Sequence, residues 1–449
     1  MSYETAVARI YALGHELAQM PSPKFDLDHM RVLLGALDHP ERRFPGVLIA
    51  GTNGKGSTAA TLASILQASG VRTGLYTSPH LIRINERIRI NGAEISDDEF
   101  ALLHDMVDRT AERLVGESEL PWHPSFFEML TAIAFEYFAR KKVDIAVLEV
   151  GMGGRLDATN VIEPEISIIT DISLDHQKFL GNTVTEIARE KAGIIRRGGV
   201  VVTLPQQPQA NDVIGNTILE LEARTVNAVP YVPPVAPSTE YRVTSSKSGQ
   251  AVFRYPLEVM GKRILVETPL VGRHQLRNVA LAIAAAEELS HRGFAITADS
   301  FERGIRETHW PGRFQVIPPA NGAPEYVLDV AHNPAGAWAL RSTLSGAYED
   351  RPLIIVLGAM RDKAIAEIAE ILFPLAERVI ATRADNPRSA ASGEIREAAA
   401  HTSVAIEEAL DVPAALERAR ISAGPNGVVV VTGSIYVVGE AMQALRIRI

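Results

Sequence analysis

The chain contains no cysteine. That excludes disulfides, thiolate zinc sites and a cysteine nucleophile, so any metal must sit on oxygen or imidazole ligands. No apolar run approaches the roughly 18–20 residues that a membrane span requires. The opening residues, Met1-Ser-Tyr-Glu-Thr-Ala-Val7, carry an early acid and lack the basic-then-apolar order of a signal peptide. Basic excess is also missing. A formal net charge of −9 argues against nonspecific nucleic-acid binding, while leaving room for a local anion site. What is present is 449 residues, 22% charged and 46% hydrophobic, enough for a large core in two or three domains. The expectation is a cytoplasmic enzyme with small-molecule substrates, no nucleic-acid or membrane partner, and a monomer by default.

Short β-branched runs alternate with helical patterns over most of the length, the βαβ rhythm of a mainly parallel sheet covered on both faces. Val47–Ala50 precedes a glycine-rich loop and a helix expected from about Thr58 to Ser69, with Gly70 placed to cap it. Asp144–Glu149, Ile166–Thr170 and Gly199–Thr203 read as buried strands, and Ser96-Asp-Asp-Glu99 has the spacing that opens a helix. From about Val226 to Leu270 the rhythm changes. Tyr241–Thr244, the turn-like Ser245–Gly249 and Ala251–Tyr255 suggest a small antiparallel hairpin, followed by an alanine-rich helix over Ala280–Leu289. Trp310-Pro-Gly-Arg313 and Pro318-Pro-Ala-Asn-Gly322 suggest a boundary. Beyond it Tyr326–Asp329, Leu353–Leu357, Arg378–Ala381 and Val428–Thr432 alternate with helices as a second, smaller α/β unit. The expected domains are residues 1–308 and 312–449.

The sharpest local signal is Gly51-Thr52-Asn53-Gly54-Lys55-Gly56-Ser57, between a strand and a helix. Glycines let backbone N–H groups turn inward around phosphate oxygens, the helix N-terminus favours anions, and Lys55 adds a mobile positive charge. The spacing departs from G-x-x-x-x-G-K-[ST]: the first Gly is three residues before Gly54, and Gly56 intervenes before Ser57. A glycine turn that merely joins strand to helix is the alternative, but lysine, glycines and strand-loop-helix context coincide. Nucleoside triphosphate binding is expected.

Triphosphate chemistry needs a divalent cation, and Mg²⁺ takes a few oxygen ligands while keeping waters. Glu149 ends an apolar strand where open α/β sheets bind ligands, and leads into Gly151-Met-Gly-Gly154. Read alone, it is equally a solvated strand-end acid. His176 follows Asp175 after a second buried strand, and a lone histidine is more often structural. Lys191, in Glu190-Lys-Ala-Gly-Ile-Ile195, reads by itself as a solvated side chain.

Taken together and in order, these motifs resemble the folylpolyglutamate synthase/dihydrofolate synthase family within the Mur-ligase superfamily. The resemblance runs over nearly the whole chain. It includes Ala50–Ser57, Thr77-Ser-Pro-His-Leu81 with Asn85-Glu-Arg-Ile88, Ser125-Phe-Phe-Glu128, Glu149–Asn160, Leu174-Asp-His176 and Lys191-Ala-Gly-Ile194. Further on come His274-Gln275 with Asn278, Trp310-Pro-Gly-Arg313, Leu328–Pro334 and Val431-Thr-Gly-Ser434. One segment departs. Gly358-Ala-Met-Arg-Asp-Lys-Ala364 matches a family segment usually ending Asp-Lys-Asp, with Ala364 in place of the last acid.

The resemblance implies an N-terminal ATPase-like domain holding the phosphate loop and a C-terminal Rossmann-like domain that closes over ATP and brings glutamate. It implies that Ser78, Glu149 and His176 bind Mg²⁺ together with Lys191, typically carbamylated by CO₂ in the family. Lys55, Lys191 and His332 are the expected catalytic residues. It also implies nucleotide contacts at Asn278, at Arg313 near phosphates and at Asp329 near ribose, with His332 and Ser434 on the glutamate side. For the pterin it points to Phe127, whose ring would stack on the heterocycle, supported by Ser125, Asp157 and Ala158. Ordinary core packing is the alternative for Phe126 and Phe127. Arg83, Arg87 and Arg89 read equally as anion contacts or as edge charges.

The activity so implied is ATP- and Mg²⁺-dependent ligation of L-glutamate to a folate or pteroate acid. The acid attacks the γ-phosphorus of ATP, and the amine then attacks the resulting acyl phosphate. Two alternatives stay open: a Mur-type ligase of cell-wall precursors, and a nucleotide-dependent switch. Dihydropteroate, tetrahydrofolate or both remain open as the acid, with Ala158 and the short N-terminus leaning toward both.

Overall fold

The computed structural model describes residues 1–14, 27–234, 244–245, 251–320 and 322–447. Seventeen strands form three sheets among these residues. The first sheet contains β1 (Gly46–Ala50), β2 (Thr73–Tyr76), β3 (Ile88–Ile90), β4 (Ala93–Glu94), β5 (Ile145–Glu149), β6 (Ile166–Ile169), β7 (Val200–Thr203) and β8 (Arg224–Asn227), in the order β4-β3-β2-β5-β1-β6-β7-β8. Every pair from β2 to β8 is parallel, and only β3 and β4 run antiparallel at one edge. The central strands β1, β5 and β6 are buried at every residue, as expected for a parallel sheet covered on both faces.

A separate sheet holds β9 (Thr244–Ser245), β10 (Ala251–Val259) and β11 (Lys262–Thr268). Ser245 pairs with Ala251 in the antiparallel sense expected from the sequence; residues 241–243 and 246–250 of that expected hairpin lie outside the described residues. The principal turn was not foreseen. It lies at Met260-Gly261, where both residues have positive φ (52° and 71°), the conformation of a tight two-residue hairpin. Six strands form the third sheet: β12 (Gln315–Ile317), β13 (Glu325–Leu328), β14 (Leu353–Leu357), β15 (Arg378–Ala381), β16 (Ile406–Glu408) and β17 (Val428–Thr432), ordered β12-β13-β17-β14-β15-β16. All its pairs are parallel except β12–β13.

The chain divides into two compact units. One comprises Met1–Val232, Glu258–Ile264 and Asn278–Ile305, the other Pro233–Leu257, Leu265–Arg277 and Arg306–Ile449. The sequence-based division kept all residues to 308 together. In the structure the hairpin strands pair with one another instead of joining the large sheet, and most of their residues group with the second unit.

Helix limits differ from expectation where glycine or capping chemistry intervenes. The helix after β1 runs Lys55–Ala68, starting three residues early, because Gly54 at φ 90° turns the chain directly into helix at Lys55. The alanine-rich helix spans Arg273–His291 and takes in His274, Gln275 and Asn278. Ala364 precedes the helix Ile365–Leu372 as its N-cap, without any side-chain hydrogen bond. The acid usual at that point of the family segment would there serve as a helix cap, so its replacement bears on local stability.

The helix Ala298–Arg306 lies close against Lys55–Ala68: a Cβ on Gly304 would sit 2.5 Å from Ile65 Cα, and Ser64 Oγ donates to the Gly304 carbonyl at 2.6 Å. Because backbone opposes backbone, no side chain can yield. Gly304→Ala should therefore destabilise the protein by about 2 kcal/mol or more despite the better helix propensity of alanine. A raised or unchanged urea midpoint would contradict this packing.

Candidate active site

At the carboxyl end of β1 the chain leaves the sheet through Gly51. A Cβ there would meet Thr170 Oγ1 at 1.8 Å, and one on Gly54 would meet Asn278 Oδ1 at 2.1 Å. Both positions thus exclude side chains. The loop is stitched to the segment following β6: the Thr52 and Asn53 amides donate to the Asp171 carbonyl at 2.9 and 3.1 Å, and Thr52 Oγ1 exchanges hydrogen bonds with Ser173. Nothing in the sequence singled out Asp171–Ser173, because its contribution is made mostly through backbone groups, with the Ser173 hydroxyl accepting from Asn53 Nδ2 at 3.3 Å.

Two lysines converge on one carbonyl. Lys55 Nζ donates to the Gly51 and Thr52 oxygens at 3.2 and 3.4 Å, and Lys191 Nζ donates to Gly51 O at 2.8 Å. The Lys55 contacts are long, and its ammonium stands 4.0 Å from Glu149 Oε1, so it is held loosely. Lys191 is the opposite of the solvated side chain its bare sequence suggested: it is 4% exposed. Burial, and next the charge of Lys55, push its pKa down to about 7, against the smaller opposing influence of Asp175 and Asp157.

The backbone around Lys191 is fixed by the loop after β5. A Cβ on Gly154 would lie 2.7 Å from Glu190 O, and one on Gly193 would lie 2.4 Å from Arg155 Cβ. Asn160 Nδ2 bridges the Arg155 and Gly193 carbonyls at 3.0 and 3.1 Å, and Arg196 Nη2 donates to the Asn160 side chain and backbone. Asn160 and Arg196 were assigned no role from sequence; they hold Lys191 through its neighbours.

Glu149 is buried at the end of β5, with Oε2 accepting the Ser78 amide at 3.2 Å. Glu149 and Ser78 are thus adjacent to each other and to Lys55. His176 takes a left-handed backbone (φ 50°) at the start of the short helix Gln177–Leu180, with its amide bonded to the Asp175 carboxylate at 2.8 Å. Among the described residues, no three carboxylate or imidazole groups gather as a ready metal cluster. The donors at this end of the sheet are a hydroxyl, one carboxylate and an imidazole, an oxygen-rich set that suits Mg²⁺ completed by phosphate oxygens and waters.

Phe127 lies across Gly151, where a Cβ would be 2.5 Å from the ring, and its centroid is 5.9 Å from Tyr76. Phe126 is core: it is buried, and it stacks with Tyr11 at 5.6 Å. The other two polar groups beside Phe127 are occupied. Ser125 Oγ accepts the Glu128 amide at 3.4 Å as helix N-cap. Asp157 Oδ1 accepts from Thr159 N and Oγ1, and Oδ2 from Met152 N; burial pushes this carboxyl up, opposed by those bonds. Ala158 is buried in the turn that Asp157 caps. These three residues shape the loop and helix end around Phe127.

The arginines divide. Arg83, half-exposed, pairs with Asp97 at 2.5 Å as an edge charge does, whereas Arg89 is buried, pairs with Glu94 at 3.4 Å and donates Nε–H to the Glu86 carbonyl at 3.1 Å. Arg87 is buried, over the Phe126 ring, and donates Nε–H to His80 Nδ1 at 2.8 Å. An arginine can only donate, so His80 carries its proton on Nε2, which faces Tyr11 Oη at 3.0 Å.

In the second unit, Asp329 follows β13 and accepts the Phe314 and Ala331 amides at 2.8 and 2.9 Å. Its carboxyl is pushed up by burial, with Arg313 opposing. These bonds tie the Trp310–Arg313 turn to the strand end. His332 Nδ1 faces the Val330 carbonyl at 2.9 Å, so Nδ1 carries a proton and the ring is fixed in orientation at the strand end. The Gly433 amide donates to Ala331 O at 3.0 Å, bringing Ser434 to the same sheet edge, where its hydroxyl caps the helix Ile435–Ala444.

Family models described as "Mur ligase middle domain" and "Mur ligase, glutamate ligase domain" match residues 125–286 and 312–435. The dihydrofolate synthase/folylpolyglutamate synthase of Bacillus subtilis is 35% identical over 422 residues, covering 94% of this chain and 95% of that protein. The folylpolyglutamate synthase of Lacticaseibacillus casei is 37% identical over 349 residues, covering 77% and 78%. A solved folylpolyglutamate synthase of Mycobacterium tuberculosis, complexed with ADP and AMPPCP, aligns with a TM-score of 0.86 at 31% identity, covering 100% of this chain and 99% of that one.

Gly54→Ala is expected to lower ATP affinity by roughly tenfold or more, since the added methyl collides with Asn278 at a left-handed φ. Calorimetric titration with a non-hydrolysable ATP analogue would measure it; undiminished binding would show that the loop does not form the phosphate cradle.

Proposed function

The chain belongs to the folylpolyglutamate synthase/dihydrofolate synthase family of Mur ligases, and from that membership we propose how its residues divide the work of joining L-glutamate to a folate-type acid. It is an ATP-dependent acid–amino-acid ligase of folate metabolism. The observation that carries the reading of the site is the convergence of Lys55 and Lys191 on Gly51 beside Glu149, a cradle of charged groups in which Lys191 and Glu149 are buried and Lys55 is partly accessible.

In this reading, the amides of Gly51–Ser57 and the ammonium of Lys55 hold the triphosphate, with Asn278 against Gly54. Arg313 meets the phosphates, and Asp329 serves the ribose side chiefly by fixing the Trp310–Arg313 turn. Phe127, whose ring end packs against Gly151, stacks on the pterin; Ser125, Asp157 and Ala158 keep the platform in place. The folate carboxylate attacks the γ-phosphorus, ADP leaves, and an acyl phosphate forms. The amine of glutamate then displaces phosphate from that carbonyl. Glutamate arrives as an ammonium ion, and His332 is the residue that takes the proton that must leave before or during attack. Ser434 lies at the same sheet edge as His332 and serves the glutamate.

Ser78, Glu149 and His176 would hold Mg²⁺, which when bound neutralises charge on the transferring phosphoryl group. Lys191 is the fourth expected ligand, as a carbamate. Its amine is buried and pressed by the like charge of Lys55, so the neutral form that reacts with CO₂ is accessible. Addition of CO₂ with loss of one proton makes an anion, and the Lys55–Lys191 repulsion becomes attraction. The dihydrofolate/folylpolyglutamate names of the relatives suit a protein that accepts both dihydropteroate and tetrahydrofolate.

Two measurements test this. ADP release with dihydropteroate or tetrahydrofolate, each supplied with glutamate, should depend on both acid and amine. ADP release that ignores the carboxylic acid would overturn the assignment. Carbon NMR with labelled bicarbonate should show a carbamate signal that disappears in Lys191→Arg; fully active enzyme lacking that signal would remove the modified lysine from the account.

A further inference from the structure

The start of the helix Phe126–Lys141 is clamped by His29, on the helix Leu27–Ala36. His29 Nδ1 lies 3.0 Å from Glu128 Oε1, and Nε2 lies 3.0 Å from the Trp122 carbonyl oxygen. The imidazole also stacks on the Trp122 ring, with centroids 5.6 Å apart. The second Glu128 oxygen accepts the Ser125 amide at 2.8 Å. A carbonyl has no proton to give, so Nε2 must carry one. Burial alone would raise the Glu128 carboxyl, but the hydrogen bonds from His29 and Ser125 outweigh it and hold the group below the usual carboxylate range. Glu128 is therefore an anion that only accepts, and Nδ1 must carry a proton as well.

We infer that His29 is an imidazolium that bridges Glu128 and Trp122 and acts as a positioning residue for the Phe127 platform. The inference rests on the reading of Phe127 as the pterin-stacking ring. Phe127 is flanked by the two residues of the Ser125–Glu128 capping box, and the loop that leads into the box is held at Trp122. One cation with two donors in fixed directions joins loop and helix start on either side of that ring. A neutral histidine would set a lone pair against an oxygen lone pair at one contact or the other. Phe127 meets Gly151 with no room for displacement, so a small turn of the helix start changes how the ring lies on the glycine.

Nitrogen NMR at neutral pH, with the His29 signals assigned by their loss in His29→Gln, should show both ring nitrogens protonated. A neutral-tautomer pattern would overturn the inference. In steady-state assays, His29→Gln should raise KM for the folate acid roughly tenfold while leaving kcat and KM for ATP within about twofold. His29→Arg, a permanent cation with several donors, should recover most of that loss. Equal changes in both KM values, or no recovery with arginine, would reduce His29 to a structural residue. Glu128→Gln guards against misfolding of the first variant. Combined with His29→Gln it should add little to the KM effect, and full additivity would contradict the bridge. Phe127→Ala separates the two levels. If it leaves folate KM unchanged, the platform assignment fails; if it raises KM while His29→Gln does not, only the positioning role fails.

Discussion

Two lysine side chains share one carbonyl oxygen, and the loops at the carboxyl end of the first sheet are fastened around them. Like charges this close, one of them buried, are unfavourable unless an anion compensates. The fold tolerates them because Gly51 and Gly54 let the loop fold tightly against Thr170 and Asn278, and because Asp171 and Ser173 fasten it from the neighbouring strand end. Glu149 answers Lys55 at 4.0 Å without neutralising it through a hydrogen bond. A triphosphate supplies the missing negative charge on one side, and a carbamate on Lys191 would supply it on the other. Both follow from the same electrostatic imbalance.

Parallel sheets place loop residues at their carboxyl ends, and both units use that edge. In the first, β1, β5 and β6 deliver the phosphate loop, Glu149 and the Asp171–His176 segment. In the second, β13 and β17 deliver Asp329, His332 and Ser434, with Ala331 and Gly433 bonded to each other. The site side chains are few, and most of the surrounding polar groups are spent on holding them. Asp157, Asn160, Arg196, Ser125 and Asp329 each bond to backbone groups of the surrounding loops, so precision in this site is built from loop anchoring.

Much of this was legible in the chain. Strand runs such as Leu353–Leu357 and Val428–Thr432 appear with the limits their β-branched patterns suggest, since burial on both faces demands continuous apolar residues. The glycine-lysine loop was legible because its chemistry is local. Lys191 was not: nothing in a lone lysine on a helix reveals that Gly154 and Gly193 bury it against a loop 140 residues away. Ser125 and Asp157 also bond to backbone amides of their own helix end and loop, which their positions in the sequence do not express. Arg87 and Arg89 differ from Arg83 through burial, and Arg87 from both through its bond to His80, which spacing cannot express. The hairpin strands read as part of the first domain because sequence order hides which sheet a strand joins.

The central claim is that the phosphate loop with Lys55 promotes formation of an acyl phosphate, which glutamate then captures. The most direct measurement uses a folate acid labelled with oxygen-18 in its carboxylate, with ATP and glutamate, followed by mass analysis of the phosphate released. The account predicts transfer of one labelled oxygen to phosphate, because the attacking carboxylate oxygen stays on phosphorus when the amide forms. Phosphate free of label, alongside amide product, would contradict it.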